Sequence, residues 1–212
     1  MKLLALISFI LYAQTKKVEV PEYEITEKIT LKSEKTAFII VDMQNDFAHP
    51  KGSLYVPKTK EVIPNIRYLL DEARKKGVLI VFTQDWHSKD DPEFKIWPRH
   101  AVAGTAGAEI IKELKPKKDE FIVKKLRYDA FFGTSLDYIL RIHEIENVIV
   151  TGTVSNICVL HTAGSAALRW YKVILPIDAI ASLTDFDQEV TIRQISFLYK
   201  GIITTSKGIT FE

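Results

Sequence analysis

Apolar residues follow two alternating patterns along the chain. Residues 37–41 (AFIIV) are an unbroken apolar run of strand length, as expected for a strand buried on both faces. Val62, Ile63, Ile66, Leu69, Leu70 and Ala73 then recur at helical spacing, and Gly77 closes that helix. Residues 78–83 (VLIVFT) read as the second strand. Further on, 121–123, 147–151, 173–176 and 202–204 read as strands, and 106–114, 134–143, 156–170 and 185–199 as helices. Thr134 or Ser135 is the expected cap of the second of these helices. Strict alternation of strand and helix predicts parallel strands with right-handed crossovers, and a functional site at their carboxyl ends. Residues 84–105, rich in Asp, Pro and aromatics, read as a long loop; loops of that length in a compact domain are usually functional.

The first 35 residues fall outside this alternation. Lys2, an apolar run over 3–12 and Ala13 have the outline of a short signal peptide, too short to span a bilayer. The weak basic region and Leu11 at a cleavage-site position argue against a signal. The reading is therefore a retained extension over 1–35 ahead of a domain over 36–212. The location is cytoplasmic, with export as the alternative if residues 1–13 are a signal. Tyr23, Ile25, Ile29 and Leu31 alternate roughly, which suits an arm packed on the core or on a partner subunit.

Composition narrows the class. The 212 residues are 47% hydrophobic and 26% charged, with a formal charge of +2, the balance of a globular protein. No strong field points to nucleic acid or to an anionic membrane. A single cysteine, Cys158, excludes an internal disulfide.

Three residues with catalytic potential fall at strand ends. Asp42 follows residues 37–41, where burial would raise its pKa and make it a usable base; a turn cap is the ordinary role for such an aspartate. Cys158, in Gly152-Thr-Val-Ser-Asn-Ile-Cys158-Val, falls in the first turn of a helix. That position lowers a thiol's pKa and offers backbone amides to an oxyanion. A core cysteine packed with Ile157 and Val159 fits the same position equally well. Lys125 ends the strand at 121–123 and could hold thiolate and carboxylate together; taken alone it is an ordinary surface lysine, and Lys124 competes for the role. His143 and His161 read as structural.

Taken together, Asp42-Met-Gln-Asn-Asp-Phe47, Lys125-Leu-Arg-Tyr-Asp-Ala-Phe-Phe-Gly-Thr134 and Gly152-Thr-Val-Ser-Asn-Ile-Cys158-Val resemble the three signature blocks of the isochorismatase-like cysteine hydrolases. They occur in the family's order. The resemblance implies a three-layer αβα, Rossmann-like fold with a central parallel sheet. It implies Cys158 as nucleophile, Asp42 as its base and Lys125 as third member, the last preferred over Lys124 by its spacing to Arg127-Tyr128. It further implies a cis peptide at Thr153–Val154 and an oxyanion hole from the Val154 and Cys158 amides.

Asp85-Trp-His87 and Trp97-Pro-Arg-His100 offer one carboxylate and two imidazoles, a set that suits Zn²⁺, Mn²⁺ or Fe²⁺ with positions left open. Histidines that merely tie the loop together are the commoner reading of such spacing. Followed by Gly104-Thr-Ala-Gly-Ala108, these residues resemble the metal loop of the nicotinamidase subgroup, with Ala101 where many members have cysteine. The implied function is hydrolysis of a small amide, nicotinamide first, with a divalent metal, zinc first, as cofactor and a homo-oligomer as assembly. Another small amide or carbamoyl compound is the alternative substrate, and a non-catalytic binding protein the alternative class. Phe47 and Trp97, then Trp86 and Tyr128, are the expected pocket walls, with Phe131 also beside the motifs.

Overall fold

The computed structural model describes residues 17–212; the apolar run at 3–12 lies outside them. The chain elements are strands β1 (Ile29–Leu31), β2 (Thr36–Val41), β3 (Leu79–Asp85), β4 (Phe121–Lys125), β5 (Asn147–Thr153), β6 (Lys172–Pro176), β7 (Ile180–Ala181), β8 (Ile202–Thr204) and β9 (Ile209–Phe211). The helices are α1 (Thr59–Lys76), α2 (Leu136–Ile142), α3 (Leu160–Leu168) and α4 (Asp185–Arg193). Six strands run in the order β4-β3-β2-β5-β6-β8, every pairing parallel, and β7 adds to the end of β5.

Period-two alternation on β2 divides the core into two layers. Ala37, Ile39 and Val41 pack with Leu136, Leu140, Ala163 and Ile192, which belong to α2, α3 and α4. Phe38 and Ile40 face the other way, against Val62, Ile66, Leu69 and Ala73 of α1. The result is the expected αβα sandwich. Gly77, at φ 70, ends α1 in the left-handed conformation, and its N–H bonds the Ala73 carbonyl.

Several boundaries differ from the sequence reading, each for a local reason. β3, β4 and β5 run two residues further than predicted, so Asp85, Lys125 and Thr153 belong to the sheet. The helix expected at 106–114 is instead two 3-10 turns, Ala106–Ala108 and Lys112–Leu114. Between them the chain is extended: Asn45 N–H donates to the Glu109 carbonyl and Ile111 N–H to Met43, which diverts the backbone groups a helix would need. The helix expected from 156 opens with a π turn, Ser155–Val159, before α3. Likewise, α4 passes into a second π turn, Gln194–Leu198. The α2 cap is shared, with Ser135 at the N-cap position and Thr134 Oγ1 accepting the Leu136 N–H. The loop after β3 is ordered by a 3-10 turn, Pro92–Lys95, and by a bridge between His87 and Val102. At the N-terminal end, Ile29–Leu31 pairs in parallel with Ile209–Phe211, so this part of the arm packs on the chain's own C-terminus.

Candidate active site

The ends of β2, β3, β4 and β5 meet at one edge of the sheet. Asp42 directly follows β2 at φ 48 and is buried. Thr83 of β3 fixes it twice: the Thr83 hydroxyl donates to Asp42 Oδ1 at 2.6 Å and accepts the Asp42 N–H at 3.2 Å. Gly152 of β5 pairs with Val41 beside it at φ 109; a side chain there would stand 2.1 Å from the Val41 carbonyl. Lys125 is the last residue of β4, paired with Asp85 of β3. Its ammonium lies 2.7 Å from Asp42 Oδ2, 2.5 Å from Asp85 Oδ1, 3.1 Å from the Arg127 carbonyl and 3.6 Å from Cys158 Sγ. Cys158 sits in the π turn after β5, 6% exposed, and its sulfur and an oxygen each from Asp42 and Asp85 lie within 4.8 Å of one another. The Thr153–Val154 peptide just before that turn is cis.

The structure thus brings Asp42, Lys125 and Cys158 together. Lys124 points elsewhere: its ammonium lies 3.7 Å from the centre of the Trp86 ring. Alternation along β4 explains the split, since Val123 and Lys125 are buried while Ile122 and Lys124 are exposed.

Burial and charge set the protonation pattern. Burial pushes Asp42 up from the usual carboxylate range, against the pull of Lys125. Burial opposes the Lys125 charge, but Asp42 and Asp85 outweigh it and hold the ammonium well above its ordinary value. Burial also disfavours charge on Asp85, yet Lys125 wins and the group lies at about 2. The Cys158 thiol was expected to be acidified by its place in the first helical turn. Burial instead pushes it well above its ordinary value, with Lys125 opposing and the Asp42 and Asp85 charges adding. The resting group is a thiol beside a base. Alkylation of Cys158 by iodoacetamide is accordingly expected to keep rising with pH past 9.0, the ordinary value of a free thiol. A plateau reached below about pH 7, as acidified active-site thiolates give, would contradict this pattern.

The second cluster lies on the other side of Asp85. His87, Asp85 and His100 each present a ligating atom within 4.8 Å of the others, all buried. His100 Nδ1 is 2.7 Å from the Pro98 carbonyl, which marks it as the protonated nitrogen and turns Nε2 inward. Burial pushes His100 down, towards the neutral, ligating form. Both ring nitrogens of His87 are buried without a well-directed hydrogen bond among the described residues, although Asp91 Oδ2 is 3.1 Å from Nδ1. Burial disfavours its charged form, but Asp85 and Asp91 outweigh this and raise its pKa. Glu93 Oε1 stands 4.0 Å from His87 Nε2 and 3.9 Å from His100 Nε2. Orphaned buried imidazole nitrogens facing buried carboxylates are the chemistry of a divalent-cation site. Glu93 and Asp91 were missed in the sequence. Three acids within six residues after His87, Asp90, Asp91 and Glu93, in the loop leading to His100, were the available signal.

The expected pocket walls divide. Phe47 is buried edge-on to His100, with ring centres 5.6 Å apart. The Trp97 indole donates to the Tyr128 hydroxyl at 2.9 Å, and both are half-buried. Trp86 packs against the cluster of Phe47, Ala101 and Ala108. It lines a separate groove of about 990 Å³ with Lys124 and Ile122, whose lining includes none of Asp42, Lys125 and Cys158. Phe131 is core, stacked on Tyr171. His143 follows α2 beside Phe121, and His161 is exposed, with Nδ1 2.7 Å from the Ile157 carbonyl.

Comparison with known proteins decides the family, because residues 36–207 match the isochorismatase domain. The chain belongs to the isochorismatase family. Among solved structures of similar fold is N-carbamoylsarcosine amidase from Thermoplasma acidophilum, with TM-score 0.75 and 35% identity over 81% of this chain and 96% of that one. Nicotinamidase PncA from Bacillus subtilis superposes with TM-score 0.77 and 30% identity, covering 80% of this chain and 99% of that one. Pyrazinamidase of Pyrococcus horikoshii, solved in complex with zinc, gives TM-score 0.72 and 33% identity over 84% and 98%. Within the isochorismatase family, then, this chain carries both a buried cysteine cluster and a second cluster able to hold a metal. No helix among the described residues is long and apolar enough to cross a membrane.

Proposed function

We propose that this protein is a cysteine-nucleophile amidohydrolase that converts nicotinamide, or a closely similar aromatic amide, to the carboxylic acid and ammonia. The observation that carries the reading is the Asp42–Lys125–Cys158 cluster joined, through Asp85, to a second cluster fit for a metal. Asp85 gives one oxygen to Lys125 and leaves the other, Oδ2, facing His87 Nε2 at 3.7 Å.

Catalysis begins when Asp42 takes the Cys158 proton, with the Lys125 ammonium stabilising the thiolate that forms. Sγ attacks the amide carbon, and the carbonyl electron pair moves onto oxygen, where the Val154 and Cys158 amides receive the charge. The pair returns, the C–N bond breaks, and protonated Asp42 gives its proton to the leaving nitrogen, releasing ammonia. Asp42 then removes a proton from water, which attacks the thioester. The C–S bond breaks, the acid leaves and the thiol is restored. Asp85, His87 and His100, joined by Glu93, would hold the divalent cation, zinc first. Held there, the cation would supply Lewis acidity that helps to orient the substrate. Phe47, Trp97 and Tyr128 wall the ring.

The reading is tested by ammonia release from nicotinamide before and after metal removal. Chelation is expected to remove most of the activity, and Zn²⁺, Mn²⁺ or Fe²⁺ to restore it. Full activity in metal-free protein would contradict the role given to the second cluster. The 35% identity to N-carbamoylsarcosine amidase favours a carbamoyl amide as second substrate class. Ammonia from such compounds and none from nicotinamide would select it.

A further inference from the structure

The six residues from Asp42 to Phe47 reach both clusters. Gln44 is fully buried and grips the Asp85 backbone from both sides: its Oε1 accepts the Asp85 N–H at 2.8 Å and its Nε2 donates to the Asp85 carbonyl at 2.9 Å. Asp46, two residues on, reaches the loop that ends in His100. Its Oδ2 accepts the N–H of Ala101 at 2.8 Å, and its Oδ1 accepts the Ser53 N–H at 3.2 Å. Gly107 passes so close that a side chain there would stand 2.2 Å from Asp46 Oδ2.

Ala101 is an unusual place for such an anchor. It is fully buried and has φ 44, the left-handed region that an alanine enters only under constraint. The constraint is visible: His87 N–H donates to the Ala101 carbonyl at 3.0 Å, Ala103 N–H donates back to the His87 carbonyl at 2.9 Å, and Asp46 takes the Ala101 N–H. These bonds fix the backbone of His87 and of the residue next to His100. A carboxylate is the strongest acceptor available for the third bond.

We infer that Asp46 is a positioning residue for the metal cluster: by holding the Ala101 amide it sets His100 against His87 and Asp85. The inference rests on the metal-site reading above. Asp46 touches neither the cysteine nor the reacting atoms in this account. Its loss should therefore act on metal affinity and leave the thiol's chemistry alone.

The experiment is a Zn²⁺ titration of the full chain against a chromophoric chelator, on the native protein and on Asp46→Asn, Asp46→Ala and Gly107→Ala. Each is measured below its own melting transition, alongside the iodoacetamide rate at Cys158. Outer partners of metal ligands typically set affinity by about 10–100-fold, and a loss in that range is expected for Asp46→Ala. Asp46→Asn, which keeps the shape but not the charge, should lose less. Gly107→Ala, which displaces the same carboxylate sterically, should weaken Zn²⁺ binding without removing any charge. The Cys158 alkylation rate should stay at the native value throughout. Native Zn²⁺ affinity in Asp46→Asn and Gly107→Ala would overturn the inference, as would a fall in melting temperature with affinity unchanged. A native protein that binds no Zn²⁺ would instead overturn the metal-site reading itself, which separates the two failures.

Discussion

Replacing Lys125 by methionine is expected to destabilise the fold by about 3–5 kcal/mol near neutral pH, the usual consequence of stranding a buried charge, and to abolish turnover. Methionine fills similar space and is apolar, so packing is largely kept and the loss isolates the ammonium. In the native chain that ammonium pairs with two buried carboxyl groups, Asp42 and Asp85. Without it they face each other in a buried site with oxygens within 4.8 Å. Burial and mutual repulsion then raise both folded-state pKa values above the roughly 3.9 of an unfolded aspartate. Above that pH the folded state binds more protons than the unfolded state, so stability falls as pH rises. Urea unfolding of the variant should therefore show a smaller loss at about pH 5 than at about pH 8. Lys125→Met combined with Asp85→Asn should recover part of the loss, because one stranded charge is gone. Native stability across that range would show that Lys125 does not hold the two carboxylates together.

The second large effect is expected from Cys158→Ala. Turnover should fall by at least about 10⁴-fold, the scale on which removing a nucleophile acts. The fold should survive, because only one sulfur atom leaves a well-packed site, at a cost of about 1 kcal/mol. Thermal unfolding should show a shift of a few degrees at most, about 2–4 °C per kcal/mol for a chain of this size. Normal ammonia release by this variant would remove Cys158 from the chemistry and revive the reading of a buried structural cysteine.

Much of this arrangement could be read from the residues alone. The AFIIV run of β2 and the helical spacing through Ala73 are strong periodic signals, and both elements form where expected. Asp42 was legible because it follows directly on a recognisable strand, and Cys158 because it falls in the first turn after another. Lys125 was legible only with its neighbours: the sequence shows two adjacent lysines, and the alternation of β4 separates one facing Trp86 from one buried against Asp42. Long-range pairing was the main thing hidden. The short β1 and β9 join Ile29 to Ile209, a contact no local pattern announces. Residues 109–111 look helical by composition yet are drawn into extended pairing with Met43 and Asn45. The Cys158 thiol lies above its ordinary value because burial, with the Asp42 and Asp85 charges, disfavours the thiolate more than Lys125 favours it. Aromatics near the motifs were the hardest to place: Phe131 stacks on Tyr171 in the core, while Trp86 packs against the cluster of Phe47, Ala101 and Ala108 and also lines the groove with Lys124.

The central claim is covalent attack by Cys158, and its most direct test is acid-quenched single turnover of nicotinamide with protein in excess, read by mass spectrometry. The account predicts a transient nicotinoyl group on the peptide that carries Cys158, appearing with ammonia release and absent from Cys158→Ala. Ammonia released in full with Cys158 unmodified at every time point would contradict it.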